Sequence, residues 1–114
     1  MDVLLERLDE LEDCKVVVEA DGVGLTDPEF VIGRANDCSL QLDNKFVSRH
    51  HCELIVDERE NAVRVRDLGS QNGTFVNDGQ VTQERELKNG DKLVVGCIPF
   101  EVHIWGRSGT NPND

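Results

Sequence analysis

Aromatic side chains are scarce in this chain: four Phe, one Trp and no Tyr make up 4% of 114 residues. Its core must therefore rest on Val, Leu and Ile. Basic residues are also few. Twelve Lys and Arg face 23 Asp and Glu, for a formal net charge of −11. Nucleic acid and anionic membrane surfaces are thereby excluded as partners, because both call for clustered cations. No run approaches the 18 or so apolar residues of a membrane span, and no basic segment leads into an apolar one as in a secretory signal. A cytoplasmic protein is expected. Cys14, Cys38, Cys52 and Cys97 form no C-x-x-C pair. Their even number leaves disulfides open, but without a secretory route reduced thiols are the expectation. His50, His51 and Cys52 are adjacent, yet alternate residues of a strand face opposite ways and cannot converge. Neither a metal site nor a cofactor is expected.

The charge that is present is uneven. Residues 1–29 carry ten acidic residues against Arg7 and Lys15, a balance of −8, whereas residues 30–114 carry thirteen against ten, a balance of −3. In the leader, residues 1–13, Leu4, Leu8 and Leu11 fall at i, i+4 and i+7. That spacing predicts a short amphipathic helix over 2–13, whose leucine face offers a surface for packing or for pairing with a second copy.

From Cys14 the period changes to two. Strands are predicted at Lys15–Glu19, Phe30–Ile32, Ser39–Leu42, His51–Val56, Ala62–Arg66, Thr74–Val76 and Gln80–Val81, in a segment ending before Gly96, and at Ile98–Trp105. Phe46 and Val47 are expected to tuck in as loop anchors. The pairs Asp21-Gly22, Asn72-Gly73, Asp78-Gly79 and Asn89-Gly90 are turn signals, Asn-Gly being the strongest for a hairpin. Many short strands with frequent turns predict an antiparallel β-sandwich of about ten to eleven strands over 14–105. Residues 106–114, rich in Gly, Ser, Asn and Pro, read as a disordered tail.

Three stretches end apolar runs with residues suited to phosphate. They are Gly33-Arg34, Ser48-Arg49-His50-His51, and Ser70-Gln71-Asn72-Gly73-Thr74 followed by Asn77. In this order and spacing the chain resembles a forkhead-associated (FHA) domain over roughly residues 15 to 105. The resemblance implies a phosphothreonine-binding module serving Ser/Thr kinase signalling. Arg34 and Ser48 would contact the phosphate, with Arg49 as a second cation, Gln71 lining the pocket and Asn72 gripping the peptide main chain. Gly33, His51, Gly73, Thr74 and Asn77 would brace the loops. Relatives have a small apolar pocket for the threonine methyl and add specificity three residues later. Gln71 stands where relatives often carry threonine. Lys45 and His50 would add positive potential.

Two rivals remain at this level. Ser48, His51 and Asp67 contain the residue types of a catalytic triad, but Gly69-Ser70-Gln71-Asn72-Gly73 is not a G-x-S-x-G elbow, and no Walker loop or H-E-x-x-H motif occurs. An FHA fold working as a phosphate-independent scaffold or dimer module is the other. Thr26 and Thr110, in expected loops, are further candidates for phosphorylation and self-recognition.

Overall fold

Alternating β-branched residues put one side of each strand in the core. In the computed structural model, which describes residues 2–9, 15–18, 30–57 and 60–105, they build eleven strands among those residues. These are β1 (Asp2–Arg7), β2 (Lys15–Val18), β3 (Phe30–Gly33), β4 (Leu40–Gln41), β5 (Cys52–Asp57) and β6 (Ala62–Asp67). The remainder are β7 (Thr74–Val76), β8 (Gly79–Gln80), β9 (Glu84–Leu87), β10 (Lys92–Val95) and β11 (Ile98–Trp105). They form a six-stranded sheet ordered β2-β1-β11-β10-β7-β8 and a five-stranded sheet ordered β4-β3-β5-β6-β9. The core comes from both sheets. Val3, Leu5, Val76, Leu93, Val95, Phe100 and Val102 meet Ile32, Leu54, Val56, Val63 and Val65. Leu, Ile and Val dominate it, as the scarcity of aromatics requires. Among the described residues no helix is long and apolar enough to cross a membrane.

The expected N-terminal helix is not there. Asp2–Arg7 is a strand, paired antiparallel with β11 from Asp2↔Trp105 to Arg7↔Phe100 and with β2 on its other side. Val3 and Leu5 are fully buried while Leu4, between them, is only partly so. A period of two has won over the i, i+4, i+7 reading because the β11 edge gives the segment a hydrogen-bonded ladder and a buried face, whereas a three-turn helix is marginal by itself. Leu4 and Leu8 therefore share no helical face for a second copy, Leu8 stands 47% exposed, and Leu11 lies outside the described residues. Cys14, Thr26, the Asp21-Gly22 turn, the 106–114 tail and Thr110 lie outside them as well.

Three further expectations change. One pairing is parallel: β3 and β4 align Ile32 with Leu40 and Gly33 with Gln41. So short a ladder needs help, and the Ser39 hydroxyl accepts the Val31 N–H at 3.1 Å. Neither Asn72-Gly73 nor Asn89-Gly90 closes a hairpin, because each connects a strand of one sheet to a strand of the other. Among the described residues two-residue hairpins are instead closed by Asn77-Asp78, with φ of 49° and 72°, between β7 and β8, and by Gly96-Cys97 between β10 and β11. Phe46 is 47% exposed with the Lys45 ammonium 5.3 Å from its ring centroid, whereas Val47 is buried as expected.

Candidate functional site

Three loops meet at one end of the sandwich: 34–39 after β3 and 42–51 before β5, both within the five-stranded sheet, and 68–73, which crosses from β6 to β7 in the other sheet. Their backbones are stitched directly. The Arg34 N–H donates to the Ser48 carbonyl at 2.9 Å and the Ala35 N–H to the Arg49 carbonyl at 3.0 Å. A Cβ on Gly33 would lie 2.2 Å from the Arg49 carbonyl oxygen. No real side chain fits there, so glycine is what lets β3 run so close to the second loop.

His51 is the internal post. It is fully buried. Its Nδ1 accepts the Ser48 N–H at 3.0 Å, so its Nε2 carries the proton and donates to the Gly73 carbonyl at 2.8 Å. One neutral imidazole thus joins the second loop to the third. Gly73, at φ 92°, takes a left-handed conformation that turns its carbonyl toward the ring. The Gln71 N–H donates to Ser48 Oγ at 3.0 Å, and Asn72 Nδ2 donates to the Phe46 carbonyl at 2.9 Å. The Asn72 Oδ1 and the Ser48 O–H have no hydrogen-bond partner among the described residues.

Arg34 is exposed, and its Nε donates to the Val47 carbonyl at 3.1 Å. That bond fixes the guanidinium plane and leaves its outer nitrogens open. No carboxylate among the described residues lies within ion-pair distance of Arg34 or Arg49. The sandwich flank differs. There Arg66 meets Glu53 at 3.0 Å and Glu84 at 3.5 Å, and Arg64 meets Glu84 at 3.5 Å and Asp57 at 3.9 Å. In a chain of net charge −11, two arginines on adjacent loops with no carboxylate in ion-pair contact, Asp37 acting on Arg49 only at longer range, form a candidate anion cradle. His50 does not add freely to it, because Asp37 holds its ring at 3.0 Å.

Thus Arg34, Ser48 and Asn72 are brought together by bonds between the loops, Gln71 and Arg49 join them through their backbones, and Gly33, His51 and Gly73 lie beneath. Thr74 and Asn77 act one layer down. Asn77 donates to Asp91 at 2.9 Å and accepts the Lys92 N–H at 3.0 Å, which joins the β7–β8 turn to the start of β10. The proposed triad does not form. Both His51 nitrogens are spent on backbone, and Asp67 faces elsewhere.

Asp67 is the organising residue that the sequence reading missed. Its carboxylate accepts from the Gly69 and Ser70 N–H groups at 3.0 and 3.1 Å, the Ser70 hydroxyl at 2.6 Å and the Thr74 hydroxyl at 2.8 Å. Asp followed two and three residues later by Gly and Ser is the pattern of an Asx-type turn, which could have revealed it. Burial opposes the charge, but the hydrogen bonds from Ser70, Thr74 and Gly69 outweigh it and hold the carboxyl below its ordinary value of 3.8. A lowered native pKa contributes stability that is complete above that value and is lost as pH falls through the native one. Asp67→Asn, which sets an amide N–H against these donors, is expected to cost about 1–3 kcal/mol in urea unfolding near neutral pH. The deficit should narrow on acidification. A deficit independent of pH would contradict this account.

The architecture defines an all-β sandwich whose three loops, tied together at one end, carry exposed arginine. The FHA domain family model matches residues 30–96, and the chain belongs to that family. It is 40% identical over 70 residues to the E3 ubiquitin-protein ligase CHFR of Xenopus tropicalis, covering 59% of this chain and 11% of that protein. The chain thus spans only about a tenth of that relative's length. Among solved structures it superposes at TM-score 0.77 and 28% identity on a domain from a structural and functional analysis of phosphothreonine-dependent FHA domain interactions, covering 93% of this chain and 99% of that one. It also superposes at TM-score 0.73 and 30% identity on the FhaA FHA domain complexed with the intracellular domain of Rv3910, covering 89% and 99%. The family is one of protein-interaction modules that bind phosphopeptides.

Proposed function

We propose that this domain binds phosphothreonine-containing segments of partner proteins and so recruits them, without altering them, in cytoplasmic Ser/Thr kinase signalling. The supporting observation is the Arg34 guanidinium, pinned by its own Nε beside Ser48 and Arg49 and left without a carboxylate. Its planar fork suits a phosphate dianion, and the Ser48 hydroxyl is a further donor. Gln71 lines the pocket and the free Oδ1 of Asn72 accepts from the peptide main chain. The phosphothreonine dependence named for the superposed domain agrees with this role.

The test is titration with a phosphothreonine peptide library, each peptide paired with its dephosphorylated form. Affinity should be lost on dephosphorylation and should fall with added salt, because the contact is between charges. It should also weaken below the phosphate's second pKa of about 6. Equal binding of both forms would favour the scaffold reading instead.

A further inference from the structure

Asp37, Cys38 and His50 lie side by side although eleven residues separate Cys38 from His50. The turn Ala35–Cys38, closed by the Cys38 N–H on the Ala35 carbonyl at 3.2 Å, presents Asp37 and Cys38. The second loop brings His50, whose Nε2 sits 3.0 and 3.1 Å from the two Asp37 carboxylate oxygens. One ligand atom from each residue lies within 4.8 Å of the others. The donors are a thiol, an imidazole and a carboxylate, the three protein ligand types of zinc.

We propose that Asp37, Cys38 and His50 bind a zinc ion, with water in the fourth position of a tetrahedral site. The cluster is partly open: Asp37 and His50 are exposed and Cys38 is half-buried. An ion can therefore enter and keep its water. Zinc–nitrogen and zinc–oxygen bonds of about 2.0–2.2 Å and a zinc–sulfur bond of about 2.3 Å need only small side-chain movements from this arrangement. In the metal-free domain Cys38 Sγ–H donates to the Arg49 carbonyl at 3.1 Å. The thiol donates that bond and so is protonated until a cation arrives. On binding, the zinc–sulfur bond replaces the S–H bond and one proton leaves to solvent. The Arg49 carbonyl keeps its bond from the Ala35 N–H, so the loop stitching survives. Cys52, fully buried with its thiol pushed far up, cannot compete as a ligand.

The consequence is a clamp. Zinc would tie the loop that starts at Arg34 to the loop that carries Ser48 and Arg49. The inference does not depend on what the cradle binds.

Cobalt(II) titrated into the full chain under reducing conditions, followed by displacement with zinc, tests it. The expected result is a near-ultraviolet thiolate-to-cobalt band with the visible bands of four-coordinate cobalt, both lost on adding one equivalent of zinc. Cys38→Ser should abolish the thiolate band, His50→Ala and Asp37→Asn should weaken cobalt binding, and Cys97→Ser should leave it intact. Circular dichroism confirms the fold of each variant. Zinc should also slow amide exchange at residues 34–39 and 48–51 alone. Cobalt binding without a thiolate band, which would place the ion elsewhere, as at Glu6, Glu101 and His103, would overturn the proposal. So would a band that persists in Cys38→Ser, or no binding at all.

Discussion

Replacing Arg34 with alanine is expected to weaken phosphothreonine-peptide binding by about 1.5–3 kcal/mol for each charge-assisted bond removed, about ten- to a hundredfold per bond. The fold should be untouched, because the side chain is exposed and its one internal bond, to the Val47 carbonyl, is at the surface of the loop. Arg34→Lys is expected to recover little. An ammonium cannot hold the Val47 carbonyl with one nitrogen and present two more in a plane to the phosphate. Calorimetric titration of one phosphopeptide against the three proteins, with thermal unfolding in parallel, measures both effects. Wild-type affinity in Arg34→Ala, or full rescue by lysine, would remove Arg34 from the cradle.

The second large effect is expected inside the domain. His51→Ala removes the one side chain that satisfies both the Ser48 N–H and the Gly73 carbonyl, and it empties a fully buried volume. Two lost hydrogen bonds, one buried and one partly so, and a cavity together should cost about 3–5 kcal/mol. A domain of this size has little more than that to spare. Peptide binding should fall with stability, because Ser48 and Gln71 lose the post that aligns their loops. Urea unfolding with tryptophan fluorescence gives the stability. To separate bracing from folding, His51→Gln can be compared under conditions where it stays native. A glutamine that restores stability without restoring binding shows that loop placement depends on the ring. An alanine variant as stable as wild type would contradict the role assigned to His51.

Much of the sandwich was legible because a period of two is written along Leu54–Asp57, Val63–Arg66 and Ile98–His103, where buried residues largely alternate with less buried ones. The leader was misread for the same reason. Six residues with apolar positions at 3, 4, 5 and 8 satisfy both periods, and only the presence of an unpaired β11 edge decides between them. Turn chemistry was read correctly as local bending and wrongly as hairpins, since Asn72-Gly73 and Asn89-Gly90 say that the chain turns but not which sheet it turns into. The site residues were visible as three spaced motifs. Their cohesion was not, because it lies in backbone groups: the carbonyls of Phe46, Val47, Ser48, Arg49 and Gly73 take the bonds that draw the loops together. A sequence names side chains and says nothing about which carbonyl is free. Asp37, Cys38 and His50 escaped notice on similar grounds, since only the Gly33–Arg49 approach brings the two loops into register.

The pairing of β1 with β11 has a mechanical corollary. Asp2 stands opposite Trp105, so the two ends of the strand pair leave from the same side of the sheet. Tension drawn between the flanking chain segments would meet the interstrand hydrogen bonds one rung at a time, as a zipper is opened, instead of loading them together in shear. Since β2 pairs only with β1 among the described residues, its detachment would accompany the peeling, while the three loops of the cradle, held by β3, β4, β5, β6 and β7, would be the last part of the sandwich to feel the pull.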